Sequence, residues 1–364
     1  MTTCSLEIHI PCYNERGNIV RFLESLQCQS YGEFKAIIHD NCSTDGTTEI
    51  CREFCKLDHR FELNNIPVNI HVINQLIRIK FSARAEFVGQ LSVNDFIAPN
   101  YLMELMSVIS ADESIGLVYS HGMLRNINDG IDLNTSEFQA FDTRGLSPID
   151  SAMLVMTNYT QPFSLWGIYR RVVLEKLRPM QFIYGGDHIF IAELALYSKI
   201  AKIEKKLNWR SFGSMTEQAV QRHNTLIQLE EFARGIHPSS FFYGAAQHMP
   251  FLNMIWGHIE MFSFALIDEL SKYVLIDLAS KILYSRFGPL IDAEIDNFLN
   301  FCGISIEQFQ GNNFDGYDKK ILLLSFKKLS AELYKIIQIP QSEKFSIRIK
   351  YAMEEINKIS VSCI

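Results

Sequence analysis

The chain has 364 residues, 48% of them hydrophobic and 21% charged. At the usual ~150 residues per domain this suggests two or three folded units, and the balance excludes a disordered, collagen-like or coiled-coil chain. Lys and Arg number 34 against 41 Asp and Glu, a formal net charge of −7, which speaks against a protein that binds nucleic acid through charge.

The first ten residues lack a basic run followed by a long apolar run, so no secretory leader is expected there. Residues 5–10 read as a short strand ending at Pro11. Residues 18–29 carry a helical stripe, Ile19, Phe22, Leu23 and Leu26. A second apolar strand spans 34–40 and closes in the polar turn Asn41-Cys42-Ser43-Thr44-Asp45-Gly46, before a helix over about 47–57. A third strand is expected at 70–73, then a helical stretch, a fourth strand at 87–93, a helix from Pro99 to about 109 and a strand at 115–119. Strands alternating with helices predict an α/β parallel sheet. After about residue 220 the period is mainly helical. The stretches 266–283 and 320–337 are rich in Leu, Ile, Lys and Glu, and 303–316 reads as a loop-rich joint. The expected division is therefore 1–220 and 221–364.

The most apolar stretch, 249–267, contains Asn253, His258 and Glu260, which makes a membrane crossing costly. It is expected as a buried or membrane-surface helix; together with Phe241-Phe242-Tyr243 it faces either lipid or core. Eight cysteines include no CxxC pair, and Cys51 and Cys55 lie one helical turn apart. That pattern suits a reduced buried face better than zinc and predicts a cytoplasmic protein, at most peripheral to the inner face of a membrane.

In parallel α/β sheets, ligands sit at the carboxyl ends of the strands. Three polar clusters fall at such ends: 11–15, 40–45 and Asn94-Asp95. This coincidence points to a binding site before any motif is considered.

Ile8-His9-Ile10-Pro11-Cys12-Tyr13-Asn14-Glu15 resembles the opening strand of family 2 glycosyltransferases, and Leu23-Glu24-Ser25-Leu26-Gln27-Cys28-Gln29-Ser30-Tyr31 the helix that follows it. Ile38-His39-Asp40-Asn41-Cys42-Ser43-Thr44-Asp45-Gly46-Thr47 is similar to that family's nucleotide-binding turn, and Asn94-Asp95-Phe96-Ile97-Ala98-Pro99-Asn100-Tyr101-Leu102 to its metal-site segment. Tyr184-Gly185-Gly186-Asp187-His188, with Ala192-Glu193-Leu194-Ala195-Leu196, resembles its catalytic-base segment. The matches occur in order over roughly 5–212. The resemblance implies a GT-A, Rossmann-like, mainly parallel sheet flanked by helices over 1–220, with a helical C-terminal extension over 221–364.

The resemblance also implies roles. Asp40 would read the uracil of a UDP donor, the alternative being a turn carboxylate. Pro11, Tyr13 and Glu15 would line the base and ribose pocket, whereas Tyr13 could equally be a partly buried aromatic. Asp45 is read as a helix cap. Asp95, with Asn94 beside it, would hold Mn²⁺ or Mg²⁺ against the diphosphate. Ser92 and Asn94 stand where the family carries further acids, so the acidic motif is depleted, and Asp95 as a plain helix cap is the alternative. Arg210 would contact the diphosphate or lie on the surface. The run after it, Ser211-Phe212-Gly213-Ser214, lacks the family's His, for which His223 is a remote substitute. Trp166 would stack on an acceptor sugar or fill core, and acceptor contacts are expected in loops over 126–161. Asp187 would be the catalytic base, with an N-cap as the alternative. His258 and Glu260, two residues apart, read as structural.

The implied activity is sugar transfer from a nucleotide donor to a hydroxyl acceptor, glycan or lipid-linked, with inversion, as in polysaccharide biosynthesis. The rival is a nucleotide-sugar- or glycan-binding protein that has lost transfer, motivated by the depleted acids and the missing His. A nucleotidyltransferase would need a Gly-rich basic phosphate loop near residue 12, which this chain lacks.

Overall fold

In the computed structural model, Leu6, Ile8 and Ile10 of β1 (Leu6–Cys12) are fully buried and share one apolar cluster with Ile19, Phe22, Leu23 and Leu26 of α1 (Ile19–Gln27). The helical spacing of those four residues puts them on one face. The structure describes residues 5–70, 72–126, 132–133, 140–160, 163–181, 183–212, 249–301, 349–351 and 354. The chain divides into two units: unit 1 is Met1–Met180 with Phe190–Gln221, and unit 2 is Gln181–Ile189 with Arg222–Ile364.

In unit 1, β2 (Phe34–Asp40) and β4 (Phe87–Gln90) flank β1 in parallel, and β3 (Phe61–Asn65) extends β2 in parallel. The helices between them are α2 (Thr47–Leu57) and α3 (Val72–Ser82). There follow β5 (Asp95–Ile97), α4 (Tyr101–Ala111), β6 (Ile115–Asn126), β7 (Asp132–Leu133) and α5 (Pro148–Asn158). A 3₁₀ turn at Ser164–Trp166 leads to β8 (Ile168–Arg170), α6 (Arg171–Leu174), α7 (Gly186–Tyr197), whose first turn up to Ile189 belongs to unit 2, and β9 (Lys199–Phe212). The sheet order is β3-β2-β1-β4-β8-β6-β9-β5, with β7 on β6. The half bearing β1 to β4 is parallel, as the alternation of strands and helices predicts. Beyond it the sheet is mixed, because β8 enters between β4 and β6 running against both, and β5 runs against β9.

Three local expectations change. Residues 70, 72 and 73 are not strand: the N–H of Ile70 donates to Asn41 Oδ1 (2.9 Å) and its carbonyl accepts from Asn41 Nδ2 (2.6 Å), so both backbone groups are engaged by one side chain, and α3 starts at Val72. The strand of this region is β3, whose Glu62, Asn64 and Asn65 concealed it. Finally, the 126–161 region holds α5, started by Ser147, whose Oγ accepts from Asp150 N–H at 3.1 Å.

Gln29 fixes the entry to the 94–101 segment. Its buried side chain donates to Ala98 O (2.8 Å) and accepts from Leu102 N–H (2.9 Å).

In unit 2, the apolar stretch forms α8 (Pro250–Phe264), packed against α9 (Glu269–Phe301). On α9, Leu275, Ala279 and Leu283, then Ile291, Ile295 and Leu299, recur every fourth residue and are fully buried. Glu294 of α9 caps α8 by accepting from the N–H groups of Phe251 and Leu252, both at 3.0 Å. Most of α8 is buried, His258 included, so it takes the core alternative. Among the described residues no helix is long and apolar enough to cross a membrane. His223, 241–243, 303–316 and 320–337 lie outside the described residues.

Candidate active site

The carboxyl ends of β1 and β2 are stitched together by their loops. Asn14, in the left-handed region at φ 53°, donates its N–H to Ser43 Oγ (2.9 Å) and accepts from Thr44 N–H through Oδ1 (2.9 Å). Glu15 N–H donates to Thr47 Oγ1 (2.9 Å), and Arg16 N–H to Asp45 Oδ2 (3.0 Å). Asp45 Oδ1 accepts from Thr47 N–H (3.0 Å), but the N-cap of α2 is Gly46, left-handed at φ 98°, so Asp45 sits one residue before the cap position expected for it. Pro11, Tyr13, Glu15 and Asp40 are thereby brought to one end of the sheet. Tyr13 is 42% exposed.

Asp40 is buried at the end of β2. Its Oδ1 accepts from Ser43 N–H (3.2 Å) and Ser43 Oγ (2.5 Å), and its Oδ2 from Thr48 Oγ1. A carboxylate offers about four acceptor positions, so these three bonds orient the group and leave room for one more donor. The residues that sequence reasoning missed are these partners and Asn41, which anchors Ile70 and donates to Asn69 Oδ1 at 2.7 Å. Their only signal was a cluster of small polar residues at a strand end.

Asn18, also missed, joins two of the chosen residues. Its Nδ2 donates to Glu15 Oε2 (3.1 Å) and to Asn94 Oδ1 (3.2 Å). Burial raises the Glu15 carboxyl above its usual range, against the pull of the Asn18 bond.

Asp95, Arg210 and Trp166 also meet. Asp95 and Arg210 are cross-strand partners on β5 and β9. Arg210 Nε lies 3.4 Å from Asp95 Oδ1, and Asn208 Nδ2 donates to Asp95 Oδ2 at 3.4 Å. The Arg210 guanidinium stands over the Trp166 ring, 5.7 Å from its centroid. Asp95 is 1% exposed. Burial raises its carboxyl above the usual range, and Arg210 opposes the rise. Trp166 lies in the 3₁₀ turn before β8 and its carbonyl accepts from Tyr101 Oη at 3.1 Å.

Among the described residues, Asp95 and Asn94 by themselves supply too few oxygens to hold Mn²⁺ or Mg²⁺ without further ligands. Asp95 Oδ2 accepts from Asn208, Asp95 Oδ1 lies 3.4 Å from Arg210 Nε without a hydrogen bond, and Asn94 Oδ1 is engaged by Asn18. Among the described residues no group of three or more His, Cys, Asp and Glu could hold a metal ion, whereas hard divalent ions require several oxygen ligands.

Asp187 belongs to unit 2. Gly185 is left-handed at φ 74°, Gly186 opens α7, and Asp187 is half-buried in the first turn rather than at the cap.

A half-parallel sheet with helices between its strands is the GT-A architecture. Solved structures share the fold. S. aureus TarS 1–349 superposes with a TM-score of 0.59 over 97% of this chain and 88% of that one, at 14% identity. Its complex with UDP-GlcNAc gives 0.57 over the same shares, also at 14% identity. The sequence pattern of Glycosyl transferase family 2 matches residues 7–177, and this segment belongs to that family. Among curated proteins, EpsH of Bacillus subtilis (strain 168) is 26% identical over 192 residues, 51% of this chain and 53% of EpsH. Glycosyltransferase GlyA of Streptococcus pneumoniae serotype 4 is 26% identical over 121 residues, 32% of this chain and 17% of GlyA. The match thus spans about half of the first relative and far less of the second. Asp187, Arg210 and unit 2 lie beyond the family segment.

Proposed function

We propose that this chain is an inverting glycosyltransferase that moves a sugar from a nucleotide donor, UDP-linked, to a hydroxyl on a glycan or lipid-linked acceptor. The observation that carries the proposal is the stitched strand-end site of a family 2 segment, with Asp40 oriented by Ser43 and Thr48 beside an exposed Tyr13. Asp40 would accept the imide N–H of uracil at its remaining position, while Pro11, Tyr13 and Glu15 line the base and ribose. That TarS was crystallised with UDP and with UDP-GlcNAc agrees with a uridine donor.

In the proposed step, the Asp187 carboxylate takes the proton of the acceptor hydroxyl while that oxygen bonds to C1 of the sugar. The C1–oxygen bond to the diphosphate breaks, and the nucleoside diphosphate leaves with the bonding pair. A divalent ion, where used, would enter with the diphosphate, because the residues here supply too few ligands to hold it beforehand.

A second reading, binding of a nucleotide sugar without transfer, is favoured by one observation: the buried Asp95 carboxylate is paired with Arg210 inside the protein. A screen of nucleotide sugars for UDP release, with and without acceptor, separates the two. Acceptor-dependent release supports transfer; saturable binding with no turnover for any acceptor supports the second reading.

A further inference from the structure

Unit 2 contains a buried polar chain that the proposed reaction does not use. His258 of α8 is fully buried. Its Nδ1 lies 2.8 Å from the carbonyl of Met254, one turn back, so Nδ1 carries the proton and Nε2 is an acceptor. Facing that lone pair at 2.7 Å is His188 Nδ1, which must therefore donate. His188 Nε2 is left as an acceptor, 3.2 Å from Arg286 Nη1 on α9, a group that only donates. The hydrogen bonds run one way, from Arg286 to His188 to His258 to Met254 O, with both rings neutral. Burial brings His258 down to about 4 and Arg286 acts in the same direction, against the pull of the Met254 bond.

His188 follows Asp187 in the first turn of α7. The segment carrying both is held on α8 at further points. Gln181 Nε2 donates to Glu260 Oε2 at 3.0 Å, and the Tyr184 ring meets Phe251 edge-on with centroids 5.0 Å apart. A Cβ on Gly185 would come within 2.5 Å of Met254 Sδ, and one on Gly257 within 2.5 Å of Ile189 Cδ1, so the backbones approach as only glycine permits. An apolar contact in place of the two imidazoles could bury the same area. A directional chain specifies one rotation of the helical turn, because any other leaves buried polar atoms unsatisfied.

We infer that the helical unit is the positioning element of the base segment, with His188, His258 and Arg286 setting the rotation of the first turn of α7 and hence the direction of the Asp187 carboxylate. The inference rests on Asp187 being the base. It gives the C-terminal region a part in the reaction although that region lies outside the family segment.

The test uses the full chain. His258→Leu removes the acceptor for His188, Arg286→Met removes the donor to it, and His258→Gln offers an amide oxygen that can still accept from His188. The expected result is a kcat lower by ~10–10²-fold in the Leu and Met variants, the scale of a small misplacement of a reacting group. Donor KM and calorimetric UDP affinity should not change, and the Gln variant should recover most of the loss. Independently of activity, imidazole ¹⁵N shifts of the wild type should show both rings neutral and protonated at Nδ1. Full kcat in folded His258→Leu and Arg286→Met overturns the inference, as do an equal fall in kcat and UDP affinity or the opposite tautomers. Should the Leu variant fail to fold, Arg286→Met and the ¹⁵N shifts decide. An Asp187→Asn variant that turns over normally overturns the base assignment and this inference together; an inactive one beside a fully active His258→Leu overturns this inference alone.

Discussion

Arg210 and Asp95 face each other across the β5–β9 ladder, 3.4 Å apart, with the carboxylate fully enclosed and the guanidinium lying over Trp166. The pair joins the segment that resembles a metal site to the strand that resembles a diphosphate contact, and it neutralises within the protein a charge that would otherwise be available to an ion. The consequence is first one of stability.

Arg210→Met should leave a buried carboxylate without its counter-charge and destabilise the fold by about 3–5 kcal/mol, the cost of breaking a buried pair from one side. Adding Asp95→Asn should restore much of that loss. Urea unfolding of the two single variants and the double variant measures the coupling; additive effects would show that the pair is not stabilising as a unit.

Asp40→Ala should weaken UDP binding by roughly 1.5–3 kcal/mol, the range for a hydrogen bond to a charged group. Part of the effect could come from release of the turn that Ser43 and Thr48 hold on it. Thr48→Val removes one of those ties and keeps the carboxylate, so it should cost less. Calorimetric titration with UDP ranks the three proteins, and unchanged affinity in folded Asp40→Ala would remove Asp40 from base recognition.

Asp187→Asn keeps the shape of the side chain and abolishes its basicity. Turnover should fall ~10²–10⁴-fold, the usual contribution of a general base. UDP affinity should be retained, which steady-state kinetics and calorimetry on the same preparation would establish.

Free protein should bind Mn²⁺ weakly, and metal and UDP should each tighten the other by the same factor, as linkage requires. Asn94→Asp adds a hard oxygen ligand and should raise metal affinity without nucleotide. Metal titrations with and without UDP test both points. UDP affinity that is the same in EDTA and in excess Mn²⁺ would mean that the diphosphate is neutralised without an ion.

Glu294 should impose a pH dependence on stability. Burial pushes its carboxyl from 4.5 up to about 8, against the opposing bonds from Phe251 and Leu252. The folded pKa lies above the unfolded one, so folding favours the protonated form. Its contribution is complete below the unfolded value and is lost as pH rises through about 8, with a slope of at most about 1.4 kcal/mol per pH unit. Glu294→Gln should flatten the unfolding free energy between pH 5 and 9, read by urea denaturation at each pH.

β1, β2 and β4, the helices between them and their polar strand ends were legible in the chain because they rest on local rules: short apolar runs for strands, the Ile19, Phe22, Leu23 and Leu26 stripe for α1, and small polar residues where strands stop; β3 was not, because its polar residues hide it. The family resemblance followed from the same ordered segments, and so did the choice of Asp40, Glu15, Asn94 and Asp187. Tertiary structure decided what those residues touch. Asn18, bonded to Glu15, reaches Asn94 76 positions on, Asp95 accepts from Asn208 113 residues later, and His188 finds His258 70 residues on. No periodicity records such contacts, because each depends on which elements the packed core brings side by side. Burial then sets their chemistry: the Asp95 carboxylate that the chain offers as a metal ligand becomes an internal ion pair, and a histidine that reads as structural becomes part of a directed chain to the residue beside Asp187.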